Sequence, residues 1–173
     1  MRPLGVERLV GDLVDAALLG SGSATAAAFL CGDRSWKEPT ILSAYTLSVQ
    51  ALTSSPANSV SRYFGNLPKE PATTADTSKV YIPKAGTITR AEVYCYSGTA
   101  GTSENWSMYV RLNNTTDTLI ATVGAAASER VFSNSALSIA VVVGDYIEIK
   151  MVNPAWVTNP LTTIFGGYLY IQV

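Results

Sequence analysis

The chain has 173 residues, 12 basic against 13 acidic, a net charge of −1, and only 14% charged residues, well under the usual share of about 25%. No basic excess is present to neutralise a phosphate backbone, so nucleic-acid binding is not expected. Histidine is absent, which removes the commonest general base, the commonest metal ligand and every Ser–His or Cys–His pair.

The first twenty residues place Val6, Leu9, Leu13 and Ala16 at spacings of three and four, the pattern of an apolar helical seam. Two heptads are too short to hold a helix alone, because nucleation is costly. Two readings stay open: a short amphipathic helix packed on another element, and a short docking or self-associating helix. Glu7, Asp12 and Asp15 interrupt the apolar tract, so no signal peptide is expected. No apolar run approaches the roughly 20 residues of a membrane span, so membrane insertion is not expected either.

Residues 20–40 are small and polar, with Gly20, Gly22, Gly32 and Pro39, as in a linker or an irregular ordered segment. From 41 onward the chain becomes a series of short alternating runs rich in Thr, Tyr and Val. Strands are predicted at 43–53, 60–65, 78–82, 87–97, 104–113, 117–123, 128–133, 136–142, 144–152 and 161–173. Turn residues separate them, for example SSPAN at 54–58, NNTTD at 113–117 and the Val143-Gly144-Asp145 turn. Without helices between the runs, a βαβ architecture is excluded. The expected fold is all-β: an antiparallel jelly-roll β-sandwich with a short N-terminal helical or extended segment.

Period-two reading separates an aliphatic face from a tyrosine face. Ala91, Val93 and Cys95 oppose Arg90, Glu92, Tyr94 and Tyr96. Trp106, Met108, Val110 and Leu112 oppose Ser107, Tyr109, Arg111 and Asn113. Ile147, Ile149 and Met151 oppose Tyr146, Glu148 and Lys150. Gly167, Leu169, Ile171 and Val173 oppose Tyr168, Tyr170 and Gln172. The outer set is therefore Tyr94, Tyr96, Tyr109, Tyr146, Tyr168 and Tyr170. Tyrosine suits a pleated surface and pairs across strands, yet solvated faces usually carry charges and Thr. A protein–protein face accounts better for six tyrosines, since each buries a ring and keeps a polar tip. A symmetric homo-oligomer is the expected consequence.

Chemistry beyond binding finds little support. Glu92, Glu104, Asp117, Glu129, Asp145 and Glu148 could supply a carboxylate pair, but none stands in a motif. No phosphate loop, dinucleotide fingerprint or zinc spacing occurs. No cofactor and no metal are expected, and the protein is not expected to be an enzyme. Cys31 and Cys95 lie in segments of different character; a disulfide is open, and two separate buried thiols fit the pattern better. Trp156, in NPAWVTNP, is either a ring offered to a ligand from a loop or a plug for one end of the sandwich.

The stretch LLGSGSATAAAFLCGDRSWKEP resembles a segment of tailed-bacteriophage fibre and other virion proteins. It keeps Leu19, Gly20, Gly22, Phe29, Leu30, Gly32, Asp33, Trp36 and Pro39 of that pattern and departs at Cys31, where Arg is usual, and Arg34, where Gly or Asn is usual. The resemblance implies a coupling segment wrapped in a homotrimer just before a tip domain. Phe29, Leu30 and Trp36 would anchor it on neighbouring subunits, and Gly32 and Asp33 would form its bend. Further on, VVVGDYIEIKMVN and IFGGYLYIQV resemble the last two strands of the jelly rolls of tumour necrosis factor and complement heads. Those domains are homotrimers with aromatics on the contact face, which implies such positions for Tyr168 and Tyr170.

Together these resemblances imply a virion protein with residues 1–40 docking to other virion proteins and knitting the trimer. Residues 41–173 would form a jelly-roll head displayed on the particle for a host-surface glycan or protein. A free carbohydrate-binding module and a glycan depolymerase acting through Glu104 or Glu148 are the rival readings.

Overall fold

The computed structural model describes residues 29–30, 36–37 and 43–173. The N-terminal helical seam at Val6–Ala16, the bend residue Asp33 and Cys31 lie outside the described residues. Within the coupling segment, β1 (Phe29–Leu30) and β2 (Trp36–Lys37) form a small antiparallel hairpin with Phe29 opposite Lys37 and Leu30 opposite Trp36. Residues 31–35, which include the Gly32-Asp33 pair, connect the two strands.

Ser43–Val173 forms one compact unit of ten strands. They are β3 (Ala44–Thr53), β4 (Ser61–Phe64), β5 (Val80–Tyr81), β6 (Gly86–Thr99), β7 (Asn105–Leu112), β8 (Thr116–Gly124), β9 (Glu129–Asn134), β10 (Ile139–Val141), β11 (Tyr146–Val152) and β12 (Leu161–Gln172). Among the described residues there is no helix. The strands fall into two five-stranded antiparallel sheets. The first runs β10–β6–β12–β3, with β9 sharing the edge of β6 that β10 uses. The second runs β4–β11–β7–β8, with β5 sharing an edge of β11 with β4.

Counting β4/β5 and β9/β10 as one column each leaves eight columns. The first pairs with the last, the second with the seventh, the third with the sixth and the fourth with the fifth. This is a long hairpin rolled upon itself, the jelly roll that the alternating runs lead one to expect. The turns obey the chemistry of their residues. Asn113 and Asn114 adopt φ of 48° and 55° between β7 and β8, as a two-residue hairpin loop requires. Gly144 takes φ 93°, and the Asp145 carboxylate accepts the Val142 amide at 2.9 Å to close the turn into β11.

Inner and outer residues follow the alternation. Val93, Cys95, Trp106, Met108, Val110, Ile147, Ile149, Met151, Leu169 and Ile171 are buried. Trp106 is the hub: its ring meets Trp156, Phe165 and Phe132 edge-on, at centroid distances of 5.3, 5.6 and 6.0 Å. Burying each such large side chain contributes about 1.5–3 kcal/mol. The expected strand at 136–142 is shortened to Ile139–Val141, because the Asn134 side chain accepts the Ala136 amide at 2.9 Å and turns the chain there. Arg130, at an inward position of β9, is the one exception in charge. Its guanidinium lies 5.2 Å from the Trp106 ring centroid and donates to Cys95 Sγ, Ser97 Oγ and the Ala125 and Ala127 carbonyls. Carbonyl dipoles and a π face thus replace a carboxylate partner.

Candidate interaction face

The first sheet turns one side to the core and the other outward, and strand register fixes what the outward side carries. Reading across β3, β12, β6 and β9, one row is Leu52, Ile164, Tyr96 and Glu129. The next is Gln50, Gly166, Tyr94 and Val131. Then come Ser48, Tyr168, Glu92 and Ser133, and finally Thr46, Tyr170 and Arg90. Leu52, Ile164 and Val131 are 47%, 48% and 50% exposed, and Tyr94, Tyr96 and Tyr170 are 38–40% exposed. Neighbouring strands lie about 4.8 Å apart and residues about 3.4 Å, so the four columns and four rows span roughly 14 by 20 Å. A contiguous apolar area of a few hundred Å² is of the size that marks a contact site.

The charges on this face are balanced locally. Arg90 donates to Glu92 at 2.6 Å and sits 5.8 Å from the Tyr168 ring centroid. The Tyr94 hydroxyl is held above its ordinary pKa by the partial desolvation of its site and by neighbouring Glu129. All four tyrosines here stay neutral at neutral pH and present rings with hydroxyl tips.

The six outer tyrosines do not share one face. Tyr94 and Tyr96 on β6 and Tyr168 and Tyr170 on β12 stand together on the first sheet. Tyr109 on β7 and Tyr146 on β11 belong to the second sheet. There Tyr109 lies opposite Lys150 and within cation–π reach of it, 5.8 Å from centroid to Nζ. Tyr146 packs against Tyr81 at 5.9 Å with Lys79 over its ring, and its hydroxyl donates to Asp76. That hydrogen bond pushes the Tyr146 pKa up to about 12. Alternation shows which way a side chain points from its strand but not which sheet the strand joins, so the division is legible only in three dimensions.

Three other sequence candidates take structural posts. Trp156, offered as a ligand-facing loop ring, is buried against Trp106. Its amide donates to Asn58 at 3.3 Å, and the next residue, Val157, carries the loop's exposure instead. Glu148 is fully buried, and its two oxygens accept the amides of Asp76 and Ser78, each at 2.8 Å. It ties the 65–79 loop onto the second sheet rather than facing a substrate. Glu104 accepts from Thr102 Oγ1 and, at 3.0 Å, from the Val157 amide. The Thr102 hydrogen bond holds its carboxyl below the usual range, opposite to what a general acid requires. Cys95 is a free, buried thiol. Among the described residues, no group of three or more His, Cys, Asp or Glu is placed to hold a metal ion, and no helix is long and apolar enough to cross a membrane.

Fold and face define the class as a jelly-roll sandwich with one aromatic, unpartnered sheet. No protein-family model matches the chain, and no curated protein matches its sequence. Among solved structures, the PRD1 vertex protein P5 is similar in fold, with a TM-score of 0.52 over 88% of this chain and 85% of that one, at 15% identity. The dimeric latent PorU of Porphyromonas gingivalis shows a looser likeness, with a TM-score of 0.42 over 78% of this chain and 13% of that one, at 11% identity.

Proposed function

We propose that the protein is a non-enzymatic structural component of a tailed-bacteriophage particle. In this reading it is a homotrimeric fibre or capsid-decoration protein that displays its jelly roll for attachment to a host-surface glycan or protein. The observation that carries the proposal is the exposed tyrosine and aliphatic face of the β3–β12–β6–β9 sheet. A lone domain gains nothing from leaving Leu52, Ile164, Tyr94, Tyr96, Val131 and Tyr170 wet, whereas a self-associating one buries them. Two further points support the reading. Residues 19–39 resemble the coupling segment of phage fibres, and Leu30 and Trp36, two of its expected anchors, stand opposite each other in a hairpin. The PRD1 vertex protein P5 shares the fold, and a vertex is a place where a particle presents proteins outward.

The mechanism is avidity. Three weak sites on a rigid trimer, and many trimers on a particle, raise the effective affinity without any new contact. Residues 1–40 serve as the docking segment to other virion proteins, and the compact unit carries the display. The test is electron microscopy of purified particles with a gold-labelled antibody against this chain. Gold on the particle surface is the expected result; gold-free particles from cells that make the protein would overturn the assignment.

A further inference from the structure

Gly166 and Gly167 stand side by side in β12 for opposite reasons. A Cβ on Gly167 would lie 2.1 Å from the Glu92 carbonyl oxygen and 2.8 Å from the Val93 Cα, so close approach of β6 demands glycine there. A Cβ on Gly166 would meet nothing within 4 Å. Its backbone does not need glycine either, since Gly144 alone among the described glycines has a positive φ. Glycine in a strand interior is less stable than alanine by about 0.5–1 kcal/mol. The fold therefore bears a cost at Gly166 that nothing inside the molecule explains.

The position is also central. Gly166 lies opposite Tyr94 on one side and Gln50 on the other, with Ile164 and Tyr168 two residues away along the same face. A bare backbone among these side chains makes a notch in an otherwise filled apolar surface. Glycine in a strand marks places where a ligand or another chain approaches closely.

Resting on the homo-oligomer proposed above, we infer that this notch is the socket of the self-association contact and receives a tyrosine ring from the same face of a second copy. Three features favour a second copy as the occupant. The face supplies the knob as well as the socket, since Tyr94, Tyr96 and Tyr170 present partly exposed rings. Arg90 and Glu92 already pair with each other at 2.6 Å, so a like surface meets them without burying an unpaired charge. The extent of the patch also suits a protein contact.

The test uses the full chain and fills the socket. In Gly166→Leu, sedimentation should show self-association weakened at least a hundred-fold while the far-ultraviolet circular dichroism stays that of the wild type. Gly166→Ala, which leaves room for most of a ring, should assemble within a few-fold of wild type. A folded Gly166→Leu that assembles as tightly as wild type overturns the socket while leaving the oligomer standing. A monomeric wild type overturns both. Should Gly166→Leu fail to fold, the smaller Gly166→Cys in a Cys31→Ser background carries the test. Its thiol should react with a maleimide in dilute monomer and be protected in the assembly. Equal reactivity in both states overturns the inference. So would wild-type binding on a glycan array that Gly166→Leu abolishes without changing the oligomer, because a sugar would then be the occupant.

Discussion

Tyr96 and Ile164 stand directly opposite each other across β6 and β12, both pointing away from the core. Such a cross-strand pair stabilises its own sheet by about 0.2–1 kcal/mol, far less than two large side chains gain when a partner covers them. Tyr96→Ser and Ile164→Ser should therefore each change the unfolding free energy of the domain by under about 1 kcal/mol while weakening self-association ten-fold or more. Urea denaturation and sedimentation, run on the same samples, separate the two effects. Equal loss in both would make the pair an ordinary sheet contact.

Gly167→Ala is expected to destabilise the domain by roughly 1–3 kcal/mol, because the added carbon collides with β6 backbone and not with a side chain that could turn away. Gly166→Ala should be neutral or stabilising by up to about 1 kcal/mol. Chemical denaturation of the two variants checks the contrast between adjacent glycines.

Glu148→Ala removes both acceptors from the Asp76 and Ser78 amides in a fully buried setting. Leaving such donors unpaired costs about 1–3 kcal/mol each. The variant should be destabilised by at least about 2 kcal/mol, and hydrogen exchange at Asp76 and Ser78 should rise well above that of β11. A Glu148→Ala protein as stable as wild type would show that the 65–79 loop is held by other means.

Burial pushes the Cys95 thiol from 9.0 up to about 11, although nearby Arg130 opposes the shift. The folded state thus binds this proton more tightly than the unfolded state. Its contribution is fully present below pH 9 and is lost as pH rises toward 11, which makes stability fall by about 2–3 kcal/mol over that window. Cys95→Ala should remove this component and flatten the curve between pH 9 and 11. In a Cys31→Ser background, the remaining thiol should resist modification at neutral pH until the chain is unfolded.

Much of the fold is legible from residue order alone. Alternation in 87–97, 104–113, 144–152 and 161–173 locates four strands and sorts their side chains into core and surface, because the pleat imposes a period of two. Asn113-Asn114 and Gly144-Asp145 mark their turns through backbone preferences that are local. Properties set by distant partners are not legible in this way. Glu148 points outward from β11, as alternation says, yet it is buried because a loop seventy residues earlier closes over it. Arg130 points inward against every expectation for a charge, and only the Trp106 ring and the loop carbonyls explain it. Trp156 is a surface ring or a plug depending on whether Trp106 lies beneath it.

The candidate face shows the same division. Tyr94, Tyr96, Tyr168 and Tyr170 are readable as outward residues, and the jelly roll brings their strands together. Tyr109 and Tyr146 are equally outward by pattern, but β7 and β11 lie in the other sheet. The socket at Gly166 is invisible in sequence. Gly-Gly reads as one feature, while only the surroundings of each would-be Cβ show that one glycine is required by its neighbours and the other is not.

The central claim is that the tyrosine face of the β3–β12–β6–β9 sheet joins copies of this chain. Sedimentation equilibrium of the full chain at micromolar concentration tests it most directly. A three-chain species that Tyr96→Ser and Ile164→Ser together reduce to single folded chains is the expected result. A wild-type chain that sediments as a monomer across that range contradicts the claim.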